Sequence, residues 1–365
     1  MFTLQKILAY AVKNGASDIH LTVGSPPAVR IDGIIRFVGE EALGPDDTVA
    51  FLDDLLTPER KARFLETGDA DLAHSVAGLG RFRVNCLLQR GSVGIILRHV
   101  KAKILNFEEL NLPPVMEKIA QIPRGLVLVT GTTGSGKSTT LASVIDLINR
   151  NRRCHIVTLE DPIEYLHVNK KSIITQREIH LDTHDFSTAL RAAMREDPDV
   201  ILVGEMRDAE TFQAAISAAE TGHLVFSTLH TTNAMLSMDR ILDLFPSTQQ
   251  SQVRSQLALQ LRACISQRLI INFDGKGRVP AVEVLLANPA IAQLIRENEM
   301  KQIPIAIAGG KEEGMQTFNM SLVDLVKRKL ITEEEAIWNS DNPDELKMNL
   351  QGIFLSQSRG GILKR

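Results

Sequence analysis

Leu4, Ile7, Leu8, Ala11 and Val12 recur at three- and four-residue spacing. That period predicts an amphipathic helix, ended by Asn14-Gly15. The pattern then changes to alternation over Asp18–Val23, a strand, and Pro26-Pro27 breaks it. Ala28–Ile31 and Ile34–Val38 flank Asp32-Gly33, a hairpin signal. Thr57 followed by Pro58 reads as an N-cap with proline at the first helical position. Arg81–Asn85 and Gly94–Arg98 read as further strands, the first clearly alternating. Residues 1–100 are therefore expected to form a small α+β domain, and 101–123, with Pro113-Pro114 and a closing Pro123, a linker.

Beyond Pro123 the apolar positions come in short solid runs. Leu126–Thr130, His155–Leu159, Val200–Val203 and Leu224–Thr228 read as buried strands separated by helical stretches. That alternation predicts an α/β domain over 124–286, with a mostly parallel sheet wrapped by helices. Residues 287–365 read as helical. Pro289 opens one helix there, and Thr332-Glu333-Glu334-Glu335 fits a capping box opening another. The end, Arg359–Arg365, is expected to fray.

Composition narrows the function classes. The 365 residues suit two domains, and 44% hydrophobic with 23% charged is ordinary for a soluble globular chain. A net charge of -3 and few aromatics (13 Phe, 2 Tyr, 1 Trp) argue against a nucleic-acid binder. Cys86, Cys154 and Cys264 form no CxxC pair, so they read as reduced thiols in place of a disulfide framework or zinc site. No apolar run reaches the ~20 residues of a membrane span. Nor does the amino terminus resemble a secretory signal. The expectation is a cytoplasmic protein with no direct membrane insertion, meeting a membrane only through a partner.

Gly131-Thr132-Thr133-Gly134-Ser135-Gly136-Lys137-Ser138 matches G-x-x-x-x-G-K-[ST] between a buried strand and a helix. Its glycines let backbone N–H groups converge on phosphate, and the helix N-terminus adds partial positive charge. Thr133, Gly134, Ser135, Gly136, Lys137, Ser138 and Thr139 are thus the expected nucleotide-binding residues. Lys137 would reach the β/γ-phosphates and Ser138 would ligate Mg²⁺. Asp199–Glu205 is a buried strand ending in an acid at the sheet edge where such folds bind ligands. Glu205 would hold the Mg²⁺ water shell or polarise the attacking water. A second strand ends in Glu160-Asp161-Pro162-Ile163-Glu164. There Glu164 is a candidate base, with Glu160 or Asp161 structural or on the Mg²⁺ side. The bland alternative is a solvated acidic loop.

The third strand has His223 at one end and His230 at the other. His230 falls at the carboxyl edge and could sense the γ-phosphate. Against that stands a satisfied core histidine. His223 could serve a subunit contact. Arg81 and Arg83 share one strand face, with Arg98 on a neighbouring strand. They read either as a solvated face or as trans-acting fingers for transition-state charge.

Taken together, Gly131–Ser138, Glu160–Glu164, Asp197–Asp208 and Gly222–Thr232 resemble the Walker A, Asp box, Walker B and His box of the secretion-superfamily ATPases. Within that family the chain looks like the retraction ATPases of type IV pili. Ser17–Leu21 and Arg30–Gly33 match the family's first domain, and Ala290–Glu297 resembles its retraction-associated helix motif. The resemblance implies a PAS-like first domain, a RecA-like ATPase core and a helical tail. It also implies a homohexamer, dependence on ATP and Mg²⁺, and attachment to an inner-membrane pilus platform protein (PilC-like). In the family, arginines at the positions of Arg81, Arg83 and Arg98 face the nucleotide. Glu205 and Glu164 are both assigned to catalysis, and which is the base stays open. An assembly or secretion ATPase would usually carry a zinc insertion with four cysteines, and this chain has no CxxC pair. Thr132 stands where proline is usual, and Ala292-Gln293 where Arg-Asn is typical. The second departure keeps open an accessory role in retraction.

Overall fold

The computed structural model describes residues 3–31, 33–100 and 103–352. Asp32 of the expected hairpin turn and the expected fraying end at 359–365 lie outside the described residues. The chain divides into two units. The first takes in the chain up to Lys103 together with Glu164–Leu166; the second takes in Ile104–Ile163 and the chain from His167 onward.

In the first unit α1 (Leu4–Lys13) is followed by β1 (Asp18–Thr22), β2 (Ala28–Ile31) and β3 (Ile34–Phe37). Then come α2 (Pro45–Leu55), α3 (Pro58–Thr67), β4 (Asp69–Val76), β5 (Gly80–Gln89) and β6 (Ser92–Val100). The six strands pair antiparallel in the order β3-β2-β1-β6-β5-β4. Thr57 caps α3 by accepting the Arg60 N–H, as the Thr-Pro pair predicts. One face of the sheet is apolar. Phe82, Val84, Ile95 and Leu97 are fully buried there against Leu8 and Leu52 of the helices.

The second unit begins in the stretch that reads as a linker. Phe107, Leu112 and the helix α4 (Val115–Ala120) sit in one apolar cluster with Val127 and Leu141. Proline punctuation there marks the shape of the segment, and its apolar residues decide where it packs. The strands are β7 (Gly125–Thr130), β8 (His155–Glu160), β9 (Ile173–Glu178), β10 (Val200–Val203), β11 (Leu224–Leu229), β12 (Leu261–Ile271) and β13 (Arg278–Leu286). Their order is β13-β12-β7-β11-β10-β8-β9, parallel except for the antiparallel β12–β13 pair. Burial on both faces explains why β7, β10 and β11 read as unbroken apolar runs.

Four helices follow strands of this sheet, α5 (Lys137–Asn151), α6 (Phe186–Ala193), α7 (Ala209–Glu220) and α8 (Ala234–Asp243), and α9 (Ser247–Gln260) follows α8. The tail holds α10 (Pro289–Arg296), α11 (Ile303–Gly309), α12 (Phe318–Lys327), α13 (Glu333–Trp338) and α14 (Pro343–Leu350). Thr332 caps α13 by accepting the Glu335 N–H.

The far end of α5 is fastened to the strap at 167–171. Asn149 Nδ2 donates to the Val168 carbonyl at 2.8 Å, and its Oδ1 accepts the Lys170 N–H at 3.0 Å. Buried Asp146 takes ion pairs from both Arg150 and Lys170. Burial alone would raise the Asp146 carboxyl, but those two cations hold it below the ordinary carboxylate range.

Candidate nucleotide site at the carboxyl edge of the parallel sheet

Three neighbouring strands, β7, β11 and β10, end side by side, and each delivers one chemical group. After β7 the chain turns through Gly131, with φ of +147°, and reaches α5 through Gly136, with φ of +93°. A Cβ on Gly131 would lie 2.5 Å from the Gln267 carbonyl oxygen, so only glycine fits against β12 there. Lys137, the first residue of α5, is buried. Its ammonium donates to the carbonyls of Gly131 at 2.8 Å and Thr132 at 3.1 Å. The Ser135 hydroxyl is buried without a hydrogen-bond partner. A buried hydroxyl left without a partner in a loop of this sequence suits a bound phosphate oxygen. Ser138 and Thr139 follow in the first turn of α5, both partly exposed. Alongside lies a cavity of about 290 Å³ whose lining includes Thr132, Thr133, Gln267, Arg268 and Arg278.

After β10 comes Gly204 and then Glu205. The side chain of Asp208 accepts the Thr211 N–H at 2.8 Å and starts α7, which fixes the length of that loop. After β11 comes His230, and Asn233 caps α8 in the same way. The Glu205 carboxylate takes one partner on each oxygen: His230 Nε2 at 3.1 Å and Arg207 Nη2 at 2.8 Å. That hydrogen bond and charge raise the Arg207 guanidinium above its ordinary value. The other ring nitrogen of His230, Nδ1, lies 3.5 Å from Lys137 Nζ. Lys137, His230 and Glu205 therefore form one line across three strand ends. His230 lies between a cation and an anion there, with its side chain 43% exposed. His223, at the opposite end of β11, donates from Nδ1 to the Ala218 carbonyl at 2.8 Å.

Of the acids after β8, Glu160 accepts from Thr158 Oγ1 at 2.7 Å and Gln176 Nε2 at 3.2 Å, which ties it into the sheet. Asp161 is exposed. Glu164 is exposed and belongs to the first unit, as do Arg81, Arg83 and Arg98. Arg83 faces Arg98 across β5 and β6, and Arg98 faces Asp18 across β6 and β1. Like charges set opposite one another repel, and Asp18 offsets this. It accepts from Arg98 Nε at 2.8 Å, with Arg30 Nε at 3.9 Å. Burial raises the Asp18 carboxyl, but hydrogen bonds from Ser17 and Arg98 outweigh it and leave the group below its ordinary value.

Several contributors escape local reading. Thr140 Oγ1 donates to Gln267 Oε1 at 2.9 Å and Thr130 Oγ1 to Ser266 Oγ at 3.0 Å, so two polar residues of β12 brace the loop. Nothing near Gln267 in the chain signals this, because Thr140 lies 127 residues earlier, on α5. Arg207, by contrast, lies two residues after Glu205.

Residues 2–274 match the family described as type II/IV secretion system protein. The chain is 47% identical over 333 residues to the type IV pilus retraction ATPase PilT of Pseudomonas aeruginosa, covering 91% of this chain and 96% of that one. It is 40% identical over 347 residues to the type IV pilus ATPase PilU of the same organism, covering 95% and 91%. A crystal structure of the pilus retraction motor PilT with bound ADP superposes with a TM-score of 0.89 at 49% identity, covering 95% of this chain and 99% of that one. Likeness of this extent, in sequence and in backbone, makes the chain a member of the type II/IV secretion system ATPase family.

Proposed function

We propose that this protein is an ATP hydrolase whose homohexamer powers type IV pilus retraction, and with it twitching motility. The observation that carries the reading is the Lys137–His230–Glu205 line beside a phosphate loop, in a chain alike to PilT along nearly its whole length. ATP binds with its phosphates on the N–H groups of Thr133–Thr139, and Lys137 turns its ammonium from loop carbonyls to the β/γ-phosphates. A hard divalent cation, Mg²⁺ by default, would be held by Ser138 and Glu205 and would neutralise phosphate charge. Glu205 or Glu164 takes a proton from the attacking water, and His230 reports γ-phosphate contact to Glu205. Arg81, Arg83 and Arg98 stabilise charge on the transferring phosphoryl group. The ring works in the cytoplasm at the inner-membrane base of the pilus, on a PilC-like platform protein, and binds no nucleic acid. Among the described residues no helix is long and apolar enough to cross a membrane, which accords with docking through a partner.

A second reading, an accessory retraction ATPase, is favoured by Ala292-Gln293 on α10 and by the similarity to PilU. Cells lacking the gene, complemented with wild type or Lys137→Ala, separate the readings. A retraction motor leaves surface pili that shorten only with the wild type. Missing pili would indicate assembly, and unchanged pili would favour the accessory reading. In purified protein, Glu205→Gln or Glu164→Gln should slow hydrolysis by at least roughly a hundredfold for whichever is the base. ATP turnover that survives both substitutions would remove the two carboxylates from catalysis.

A further inference from the structure

Beneath the phosphate loop lies a buried polar patch that the proposed reaction does not use. Glu283 of β13 is only 7% exposed. It faces Ser266 of β12 in register, on the same side of the paired strands, and the Ser266 side chain acts on its carboxyl. Ser266 Oγ also accepts from Thr130, the residue that precedes Gly131. On its other side, Glu283 Oε1 accepts the backbone N–H of Ala234 at 2.8 Å. Ala234 is the first residue of α8 and lies four residues after His230. The Asn233 cap serves the Leu236 N–H, so Glu283 supplies an acceptor that the cap does not. Between His230 and Ala234, Thr231 Oγ1 and Ser237 Oγ share a hydrogen bond of 2.6 Å, and Ser237 donates to the Asn233 carbonyl at 2.7 Å. The other titratable and charged groups acting on Glu283 are Arg268 and Cys264 of β12 and Asp341 beyond α13.

A carboxyl in this position is costly to bury, and capping α8 does not by itself require one. What it does is join the root of the phosphate loop to the start of the helix behind His230. We propose that Glu283 is a positioning residue: by anchoring the start of α8 to the base of the phosphate loop, it holds His230 between Lys137 and Glu205. Its kinetic consequence rests on the ATPase reading; its structural consequence does not.

Two substitutions cut the anchor from opposite sides. Glu283→Leu removes the acceptor. Ala234→Pro removes the donor at the one helical position where proline is tolerated, and leaves the carboxyl in place. Glu283→Gln keeps an acceptor and serves as the rescue. The first readout is the rate at which diethyl pyrocarbonate carbethoxylates His230 in the full-length protein, followed by peptide mass spectrometry. Glu283→Leu and Ala234→Pro should each label His230 several-fold faster than wild type, and Glu283→Gln should label at the wild-type rate. Labelling at the wild-type rate in both cutting variants overturns the proposal, whether or not the protein hydrolyses ATP.

The second readout is kinetic. Either cut should lower kcat roughly ten- to a hundredfold with the KM for ATP held within about twofold. In a His230→Ala background the same cuts should add little further loss. A full additional loss in that background overturns the proposal, because the damage would then bypass His230. Wild type that fails to hydrolyse ATP in a Lys137-dependent manner counts against the ATPase reading, and the labelling rate still decides this one.

Discussion

The carboxyl of Glu283 shows how one residue can carry a signature of its own. Burial pushes it up to about 7, with Asp341 adding to the rise, while the Ala234 N–H, Arg268 and Ser266 oppose it. A folded value above the ordinary 4.5 means that the native chain holds the proton longer than the unfolded chain does. The stability this contributes is fully present below about pH 4.5 and is lost as the pH rises through about 7. Glu283→Gln cannot titrate. Its melting temperature should fall less than that of the wild type between about pH 5 and 8, and should exceed the wild type at the upper end. Thermal melts across that range check this, and parallel curves would contradict the assignment. Glu283 is also the kind of residue that sequence reading passes over. It sits in an apolar strand, far along the chain from its partner Ala234, and has no motif around it. Lys137 and Glu205 are legible because loop spacing and a strand-end acid are local patterns, whereas the bond from His230 to Glu205 depends on strand order.

Among the elements, the phosphate loop is the most constrained. Gly131→Ala would place a methyl group against the Gln267 carbonyl at a φ of +147°. The backbone would have to move, at a cost of about 1–3 kcal/mol in strain. ATP binding should fall steeply as the loop is pushed off β12. Equilibrium dialysis and a melt together check this, and unchanged binding would mean that the loop tolerates a wider turn. The strands most visible in the sequence, β7, β10 and β11, are those buried along their whole length. β9 escapes a reading by pattern because it is an edge strand, with Thr175, Gln176 and Arg177 only partly buried and Ile173 exposed. β12 is hidden for the opposite reason. Its Ser266 and Gln267 are buried polar residues satisfied by the phosphate loop and its flanks, so its pattern reads as broken when it is continuous. α4 is obscured by Pro113-Pro114, since prolines that end a segment also suit the entry to a short helix.

At the scale of the whole molecule, each unit has its own apolar core, and the phosphate loop with its facing acid and histidine lies in the second. A ligand that binds only the folded chain stabilises it by mass action, about 2.7 kcal/mol at ~100 times its Kd. For a unit of this size that is a rise of about 5–11 °C in melting temperature. ATP should produce this shift in the wild type and not in Lys137→Ala, as differential scanning calorimetry can show. An equal shift in both would move the nucleotide away from the phosphate loop. The fastening of α5 to the strap at 167–171 has a mechanical reading. A helix of this length is a stiff rod of about 22 Å. One end begins at Lys137, and the other is clamped by Asp146 and Asn149 to Val168 and Lys170. Held in this way, the last turn cannot fray, so the rod keeps its full length as far as Asn151.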